Sequence, residues 1–202
     1  GFIVVLGGYR LMPDGPYPAM LEDTARAIAW THQNIAQYGG DPEQIVLAGH
    51  SAGAYNVVMT ALEERWLADH GVPMSAIAGV VGLSGPYDFV PLDSESTIAA
   101  FGKAPDLSAT QPANHLRADA PPVLLIHGEK DDLVGLHNSQ GLSQKLRSAG
   151  VRAQLITYPA MTHNDPLISL AAPWRAGRDV KTQIAEFARR VATPQTAAAV
   201  SD

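Results

Sequence analysis

A strand-turn-helix segment centred on Ser51 restricts the possible folds more than any other part of the sequence. Residues 45–53 read IVLAGHSAG, and residues 54–62 continue with the composition of a helix. Gly49 and Gly53 allow a tight turn between strand and helix, because neither carries a Cβ atom. Such a turn lifts the serine hydroxyl above the sheet edge, where the positive end of the following helix also points. This context favours Ser51 as a nucleophile over Ser51 as a structural turn residue.

Composition excludes several classes of function. The 202 residues include 20 acidic and 14 basic side chains, a net charge of −6, and the basic residues form no cluster in the sequence. We therefore expect neither a nucleic-acid partner nor binding to an anionic membrane. The absence of cysteine excludes disulfides, thiolate metal sites and a cysteine nucleophile. The expected partner is a small molecule, with no cofactor and no metal.

The expected compartment is the cytoplasm. No apolar run approaches the roughly 20 residues needed to cross a bilayer, and no signal peptide precedes the first predicted strand. Gly1 is not an initiator methionine, so this expectation applies to the sequence as it stands.

Alternating strands and helices predict an α/β fold with a mainly parallel sheet of about five strands and flanking helices. Apolar runs place the strands at residues 2–6, 45–48, 76–83, 123–126 and 153–158. Helical spacing of apolar residues predicts helices from residue 18, over 54–62, over 138–149 and over 180–191, with a short one near 94–101. We expect residues 1–192 to form a single domain and the alanine-rich residues 193–202 to form a flexible tail.

A serine nucleophile needs a base, and His163 is the predicted one. In parallel sheets, functional groups come from loops at the carboxyl ends of strands, and His163 alone follows the last predicted strand in a loop. The alternative for His163 is an ordinary surface histidine. His50 is expected to point away from Ser51, and His127, before Gly128, is expected to close hydrogen bonds at a turn.

The loop after residues 123–126 offers three carboxylates that could orient the base, Glu129, Asp131 and Asp132. The chain order serine, acid, histidine agrees with the order found in α/β-hydrolases. Spacing alone leaves all three acids open.

Five segments together resemble the carboxylesterase and arylesterase branch of the α/β-hydrolase fold, close to its hormone-sensitive-lipase-like and feruloyl-esterase-like groups. The resemblance runs nearly end to end. The segments are Tyr9-Arg10-Leu11, Glu22-Asp23 with Ala29-Trp30, Tyr38-Gly39-Gly40-Asp41-Pro42, Gly49-His50-Ser51-Ala52-Gly53 and His127-Gly128-x-x-Asp131-x-x-Val134.

This resemblance implies roles for single residues. It makes Asp131 the acid, with Asp132 as the second choice, and makes the backbone N–H of Ala52 an oxyanion donor. Tyr87 and Phe89 would line the approach to the serine, although packing is an equal alternative. Arg10 would pair with Glu22 and Asp23 and so fix the first helix.

The chain also departs from the family pattern. Such esterases carry three more strands and a helix before the segment that matches residues 2–6, and the third of those strands ends in a His-Gly-Gly loop that donates oxyanion N–H groups. The expected fold is therefore an N-terminally truncated α/β-hydrolase. A partner chain could fill the missing slot, or residues 2–6 could pair directly with residues 45–48. The second arrangement would bring Gly7 and Gly8 beside Ser51 as oxyanion donors; otherwise these glycines only turn the chain.

The function expected from these observations is a serine carboxylesterase that cleaves short-chain esters through a Ser-His-Asp triad and an acyl-enzyme. The absence of a sizeable lid sequence favours short acyl chains. An amide or formamide hydrolase of the same fold and a non-catalytic binding module are the alternatives. A homo-oligomer is also expected, because the truncated sheet would expose an apolar face and an unpaired edge.

Overall fold

A computed structural model describes residues 1–192, and its centre is a four-stranded parallel sheet in the order β1-β2-β3-β4. The strands are β1 (Ile45–His50), β2 (Ile77–Leu83), β3 (Val123–Gly128) and β4 (Ala153–Tyr158). All three pairings are parallel, so the carboxyl ends of the four strands meet at one edge of the sheet. The predicted α/β fold with a mainly parallel sheet is confirmed.

Seven helices flank this sheet in the described part of the chain. They are α1 (Ala19–Asn34), α2 (Ala52–Leu62), α3 (Arg65–Ala68), α4 (Glu95–Phe101), α5 (His137–Ser148), α6 (Asp165–Ile168) and α7 (Val180–Ala192). Short 3-10 segments cover Ile35–Tyr38, Met74–Ala76, Ser108–Thr110 and Pro112–Asn114. The predicted helices are all present, with small shifts at their ends. The tail expected at residues 193–202 lies outside the described residues.

Alternation along the central strands divides the core into two layers. Val80 and Leu125 point toward α1, α2 and α5, whereas Val81 and Leu124 point toward α7. All four side chains are fully buried or nearly so, which explains why these strands read as continuous apolar runs. A Cβ atom at Gly79 would lie 2.9 Å from the ring of α7 residue Phe187. The glycine therefore lets α7 pack closely on the sheet.

The predicted strand at residues 2–6 is wrong. These residues have no regular secondary structure, and β1 pairs only with β2 among residues 1–192. Their apolar side chains are exposed, from 40% at Val5 to 93% at Leu6. An apolar, β-branched run forms a strand only where a neighbour accepts and donates its backbone hydrogen bonds, and within residues 1–192 no strand pairs with this one. The direct pairing of residues 2–6 with 45–48 is therefore not formed.

The segment after residue 6 is fixed to α1 by an ion pair. Arg10 Nε lies 2.7 Å from Asp23 Oδ2, the Arg10 backbone N–H donates to the same oxygen, and Glu22 lies 3.7 Å from the guanidinium. The ion pair predicted between Arg10 and the first helix is confirmed. Tyr9 packs against the core layer that contains α1 and α2.

The long segment between β2 and β3, residues 84–122, covers one side of α2. Its helix α4 is capped by Ser94, whose hydroxyl accepts a hydrogen bond from the Thr97 backbone N–H in a capping box. The ring of Phe101 at the end of α4 lies 5.2 Å from the ring of Tyr55 and 5.1 Å from that of Phe89. These three aromatic residues form a cluster beside the first turns of α2.

No helix within residues 1–192 combines the length and apolar character needed to cross a membrane.

Candidate active site

Ser51 lies in a strained turn between β1 and α2. Its φ of 54° and ψ of −121° fall in a region that residues with a side chain rarely adopt. The Ser51 N–H donates to the Leu83 carbonyl of β2 at 2.9 Å, which fixes the turn to the sheet. A Cβ atom at Gly49 would overlap the backbone of Gly53, so this turn requires glycine. Strain of this kind concentrates at functional sites.

A hydrogen-bonded series joins Ser51 to loops after β3 and β4. Ser51 Oγ lies 2.9 Å from His163 Nε2, and His163 Nδ1 lies 2.8 Å from Asp131 Oδ2. Asp131 is the only one of the three candidate acids whose described contacts include His163. Glu129 instead accepts from the Thr157 hydroxyl, and Asp132 is exposed. The structure thus brings together the three residues predicted as nucleophile, base and acid.

The carboxylate of Asp131 is buried and hydrogen-bonded at both oxygens. The backbone N–H groups of Leu133 and Val134 donate to Oδ1 at 3.0 and 2.8 Å, while Oδ2 faces His163 and, at 3.1 Å, His127. Burial alone would raise the pKa of Asp131, but the hydrogen bonds, above all those from Val134 and His163, hold this pKa below its ordinary value. The group is therefore a carboxylate at neutral pH. A carboxylate accepts hydrogen bonds, so the proton of His163 lies on Nδ1 and leaves Nε2 to accept from Ser51.

Residues 1–146, more than half of the chain, match the BD-FAE family model. The chain belongs to the BD-FAE family. Esterase LipQ of Mycobacterium tuberculosis is 32% identical over 202 residues that cover 93% of this chain and 47% of LipQ. A probable isoprenylcysteine alpha-carbonyl methylesterase of Arabidopsis thaliana is 30% identical over 202 residues, covering 88% and 41% of the two chains. This BD-FAE chain therefore spans about half the length of the curated relatives it matches.

A solved structure gives the same fold. The apo form of Thermogutta terrifontis esterase 2 superposes on this BD-FAE chain with a TM-score of 0.74 at 23% identity, covering 91% of this chain and 70% of the other. The predicted resemblance to the carboxylesterase branch of the α/β-hydrolase fold is confirmed by these comparisons.

His127 closes hydrogen bonds at the end of β3, as its pairing with Gly128 predicts. Its Nε2 lies 2.9 Å from the Val134 carbonyl and 3.1 Å from Asp131 Oδ2, and both of these atoms only accept. Nε2 must therefore carry the proton, and Nδ1 accepts from the Ser139 hydroxyl at 2.7 Å. Burial lowers the pKa of His127, so the ring is neutral at neutral pH. The contact with Asp131 was missed from the sequence, although the spacing of four residues was available as a signal.

His50 contacts the histidine loop of this BD-FAE chain. Its Nε2 lies 2.9 Å from the backbone carbonyl of His163, and the two ring centroids are 4.8 Å apart. Among the described contacts of His50, none is with the Ser51 hydroxyl, in line with the expected orientation. Nothing in the sequence indicates the contact with His163, because the two residues are 113 positions apart.

The candidate oxyanion donors occupy different surroundings. Ala52 is the first residue of α2, where backbone N–H groups have no acceptor within the helix. Gly7 lies against α1, where an added Cβ atom would be 3.2 Å from that of Ala27. Residues 2–6 do not pair with β1, so the strand pairing offered as the way to bring Gly7 and Gly8 beside Ser51 is wrong, while their role as oxyanion donors stays a prediction. The Tyr9 hydroxyl instead approaches Gly53, 3.9 Å from where a Cβ atom would lie.

Of the two aromatic residues expected to line the approach to Ser51, Tyr87 is fully buried. Its phenol packs against Gly82 and Gly85 so closely that a Cβ atom at either glycine would overlap it. For Tyr87 the structure therefore supports the packing alternative and not contact with a substrate. Phe89 is half-buried in the aromatic cluster with Tyr55 and keeps part of its surface exposed.

Within residues 1–192 there is no group of three or more His, Cys, Asp or Glu side chains arranged to hold a metal ion.

Proposed function

We propose that this chain is a serine carboxylesterase that cleaves short-chain esters through an acyl-enzyme. The observation that carries the proposal is the continuous hydrogen-bonded series from Ser51 through His163 to Asp131. A serine hydroxyl is a weak nucleophile at neutral pH, and a neutral imidazole within hydrogen-bonding distance can take its proton as the new bond forms.

The reaction has two steps with the same proton carrier. Ser51 Oγ attacks the ester carbonyl while its proton passes to His163 Nε2, and the imidazolium then protonates the departing alcohol. Water next attacks the acyl-serine and gives a proton to His163, which returns it to Ser51 Oγ as the bond from Oγ to the acyl carbon breaks and the acid leaves. Asp131 stabilises the imidazolium in both steps through the hydrogen bond at Nδ1.

Stabilisation of the developing oxyanion rests on the N–H of Ala52. This group is the first amide after the nucleophile, at the positive end of α2. Losing one donor of an oxyanion hole typically lowers kcat by about 10² to 10³. If the chain supplies no further donor, its esterase activity should be correspondingly slow.

The names of the relatives fit a small leaving group. One is a probable methylesterase, for which the departing alcohol would be small. The aromatic cluster of Tyr55, Phe89 and Phe101 lies at the first turns of α2, the helix that follows Ser51, and its partly exposed Phe89 can contact a short acyl chain or an aromatic alcohol. Hydrolysis of an amide or formamide would use the same residues.

A fluorophosphonate probe tests the proposal directly. Wild type should be labelled, Ser51→Ala should not, and Ser148→Ala, which removes an exposed serine at the end of α5, should be labelled like wild type. Because Ser51 and His163 act as a unit, replacing either should lower kcat by on the order of 10⁴-fold or more, and the double replacement should add little. A series of 4-nitrophenyl esters of increasing length, with a matching anilide, would define the substrate class.

An unlabelled wild type that also fails to hydrolyse any member of the series would refute the esterase proposal. The non-catalytic binding module would then be the better interpretation, since the chain spans about half the length of its curated relatives.

A further inference from the structure

His50 connects the strand that carries the nucleophile to the loop that carries the base. It is the last residue of β1 and directly precedes Ser51. Its Nε2 lies 2.9 Å from the carbonyl oxygen of His163, and a carbonyl oxygen only accepts, so the proton of His50 lies on Nε2. The planes of the two imidazole rings are inclined at 51°, and the ring centroids are 4.8 Å apart.

Other contacts fix the two flanks of the same loop. On one side, the Lys130 N–H donates to the Met161 carbonyl at 3.0 Å, which ties the loop to the segment after β3. On the other side, the Thr162 N–H and hydroxyl both donate to Asp165 Oδ2, and Asp165 in turn pairs with Arg178 at 2.8 Å. The bond from His50 differs from these, because it holds the main chain of the base itself and starts from β1.

We propose that His50 is a positioning residue that keeps His163 in register with Ser51 during proton transfer. The inference rests on the proposed esterase function. His163 has to take a proton from Ser51 and then present it to the leaving alcohol, so its ring must turn slightly without moving away. With its carbonyl held by His50 and its Nδ1 held by Asp131, the imidazole can pivot but not shift. A displacement of about 1 Å at such a site can lower the rate by roughly 10²-fold.

The charge state of His50 suits this role. Two ionisable groups face it, His163 from the loop after β4 and Asp131 from the loop after β3. Burial lowers the pKa of His50, and the neighbouring His163 adds to this, against opposing contributions from the His163 carbonyl and the Asp131 carboxylate. The ring is therefore neutral at neutral pH. It donates its hydrogen bond without adding a second positive charge beside the imidazolium that forms on His163.

Two substitutions separate the hydrogen bond from the ring. His50→Gln offers an amide N–H at a similar reach and cannot titrate, whereas His50→Leu keeps apolar bulk and removes the donor. We expect His50→Leu to lower kcat for a 4-nitrophenyl ester by roughly 10- to 100-fold with KM changed less than about 3-fold, and His50→Gln to recover most of that loss. The matched control is His70→Leu, which replaces a half-buried histidine in the turn after α3 and should leave kcat unchanged.

A readout independent of activity accompanies the kinetics. In protein labelled with ¹³C at the histidine carbonyls, the His163 signal should shift in His50→Leu and stay near its wild-type position in His50→Gln. Ring ¹⁵N shifts should show the Nε2–H tautomer for His50 in wild type.

The possible failures are distinguishable. An active wild type with equal kcat in the Leu and Gln variants, or with an Nδ1–H tautomer at His50, overturns the positioning role and leaves the esterase proposal intact. A fall in kcat that Gln does not recover also counts against the hydrogen bond. A wild type that neither turns over esters nor reacts with the fluorophosphonate refutes the esterase proposal, and the positioning role falls with it even if the carbonyl shift appears.

Discussion

Four N–H groups surround the carboxylate of Asp131, and replacing this residue by asparagine tests how they hold it. The N–H groups of Leu133 and Val134 face Oδ1, and those of His163 and His127 face Oδ2. An asparagine amide has one oxygen and one NH₂ group, so one pair of donors must lose its acceptor.

The two orientations of the amide differ in cost. With NH₂ toward Leu133 and Val134, two backbone donors lose their partner, at about 1 to 3 kcal/mol each where they are buried. With NH₂ toward His163, that ring can move its proton to Nε2 and accept the amide at Nδ1, and His127 can still donate to the Val134 carbonyl at 2.9 Å. The second orientation is therefore favoured. It costs little stability, but it leaves His163 with a proton on the nitrogen that should accept from Ser51.

We therefore expect Asp131→Asn to fold with a nearly unchanged melting temperature and to lose about 10⁴-fold in kcat, a loss typical of a triad locked in the wrong tautomer. Hydrolysis of 4-nitrophenyl butyrate gives the rate, and ring ¹⁵N shifts identify the protonated nitrogen of His163. Asp132→Asn, which changes an exposed neighbour, is the control and should stay within about 3-fold of wild type. If Asp132→Asn were crippling while Asp131→Asn kept its activity, the choice of acid would be wrong.

Three further predictions concern stability and assembly. Folding lowers the pKa of His127 below its ordinary value of about 6.5, so the unfolded chain binds more protons at this residue than the folded chain does. The free energy of unfolding should therefore fall as the pH drops below about 6.5. It should fall again as the pH drops through the lowered pKa of Asp131. Urea titrations across pH check this, and His127→Gln should reduce the first fall in stability but leave the part contributed by His50, whose pKa is also lowered. Gly79→Ala should cost about 1 to 3 kcal/mol through overlap with α7, whereas Gly141→Ala, with open space around it in α5, should be neutral or stabilising by up to about 1 kcal/mol. The homo-oligomer stays a prediction: the exposed apolar side chains of residues 2–6 and the edge of β1, which is unpaired within residues 1–192, should give a mass above that of the monomer in light scattering at micromolar concentration, and a monomeric mass would contradict it.

The sequence predicted those parts of the molecule that depend on local pattern. The predicted strand at residues 153–158 matches β4, because Gly150 and Pro159 bound a segment whose Leu155, Ile156, Thr157 and Tyr158 are all frequent in strands or in buried cores. The turn at Ser51 was predicted because two glycines and the adjoining strand and helix specify it. The strand expected at residues 2–6 failed for the opposite reason: its composition suits a strand, but whether it pairs depends on a distant neighbour.

The site shows the same division. The turn around Ser51 and the place of His163 in the loop after the last strand predicted their roles, whereas the choice of Asp131 over Asp132 needed the family resemblance, since both lie in one loop. The contact of His50 with His163 could not be predicted, because it is formed only when β1 and the loop after β4 come together in three dimensions.

Ser51 and His163 follow the two edge strands of the sheet. Ser51 follows β1 and His163 follows β4, and the side chains of β4 are only partly buried, while β2 and β3 between them are almost fully enclosed. The backbone hydrogen bonds of an edge strand break more readily than those of the central strands, in local unfolding that leaves the remaining structure intact. Each opening of β4 would move the imidazole of His163 away from Ser51. The time for which the three residues remain assembled is therefore governed by the least protected strand of the sheet, and not by its well-packed centre.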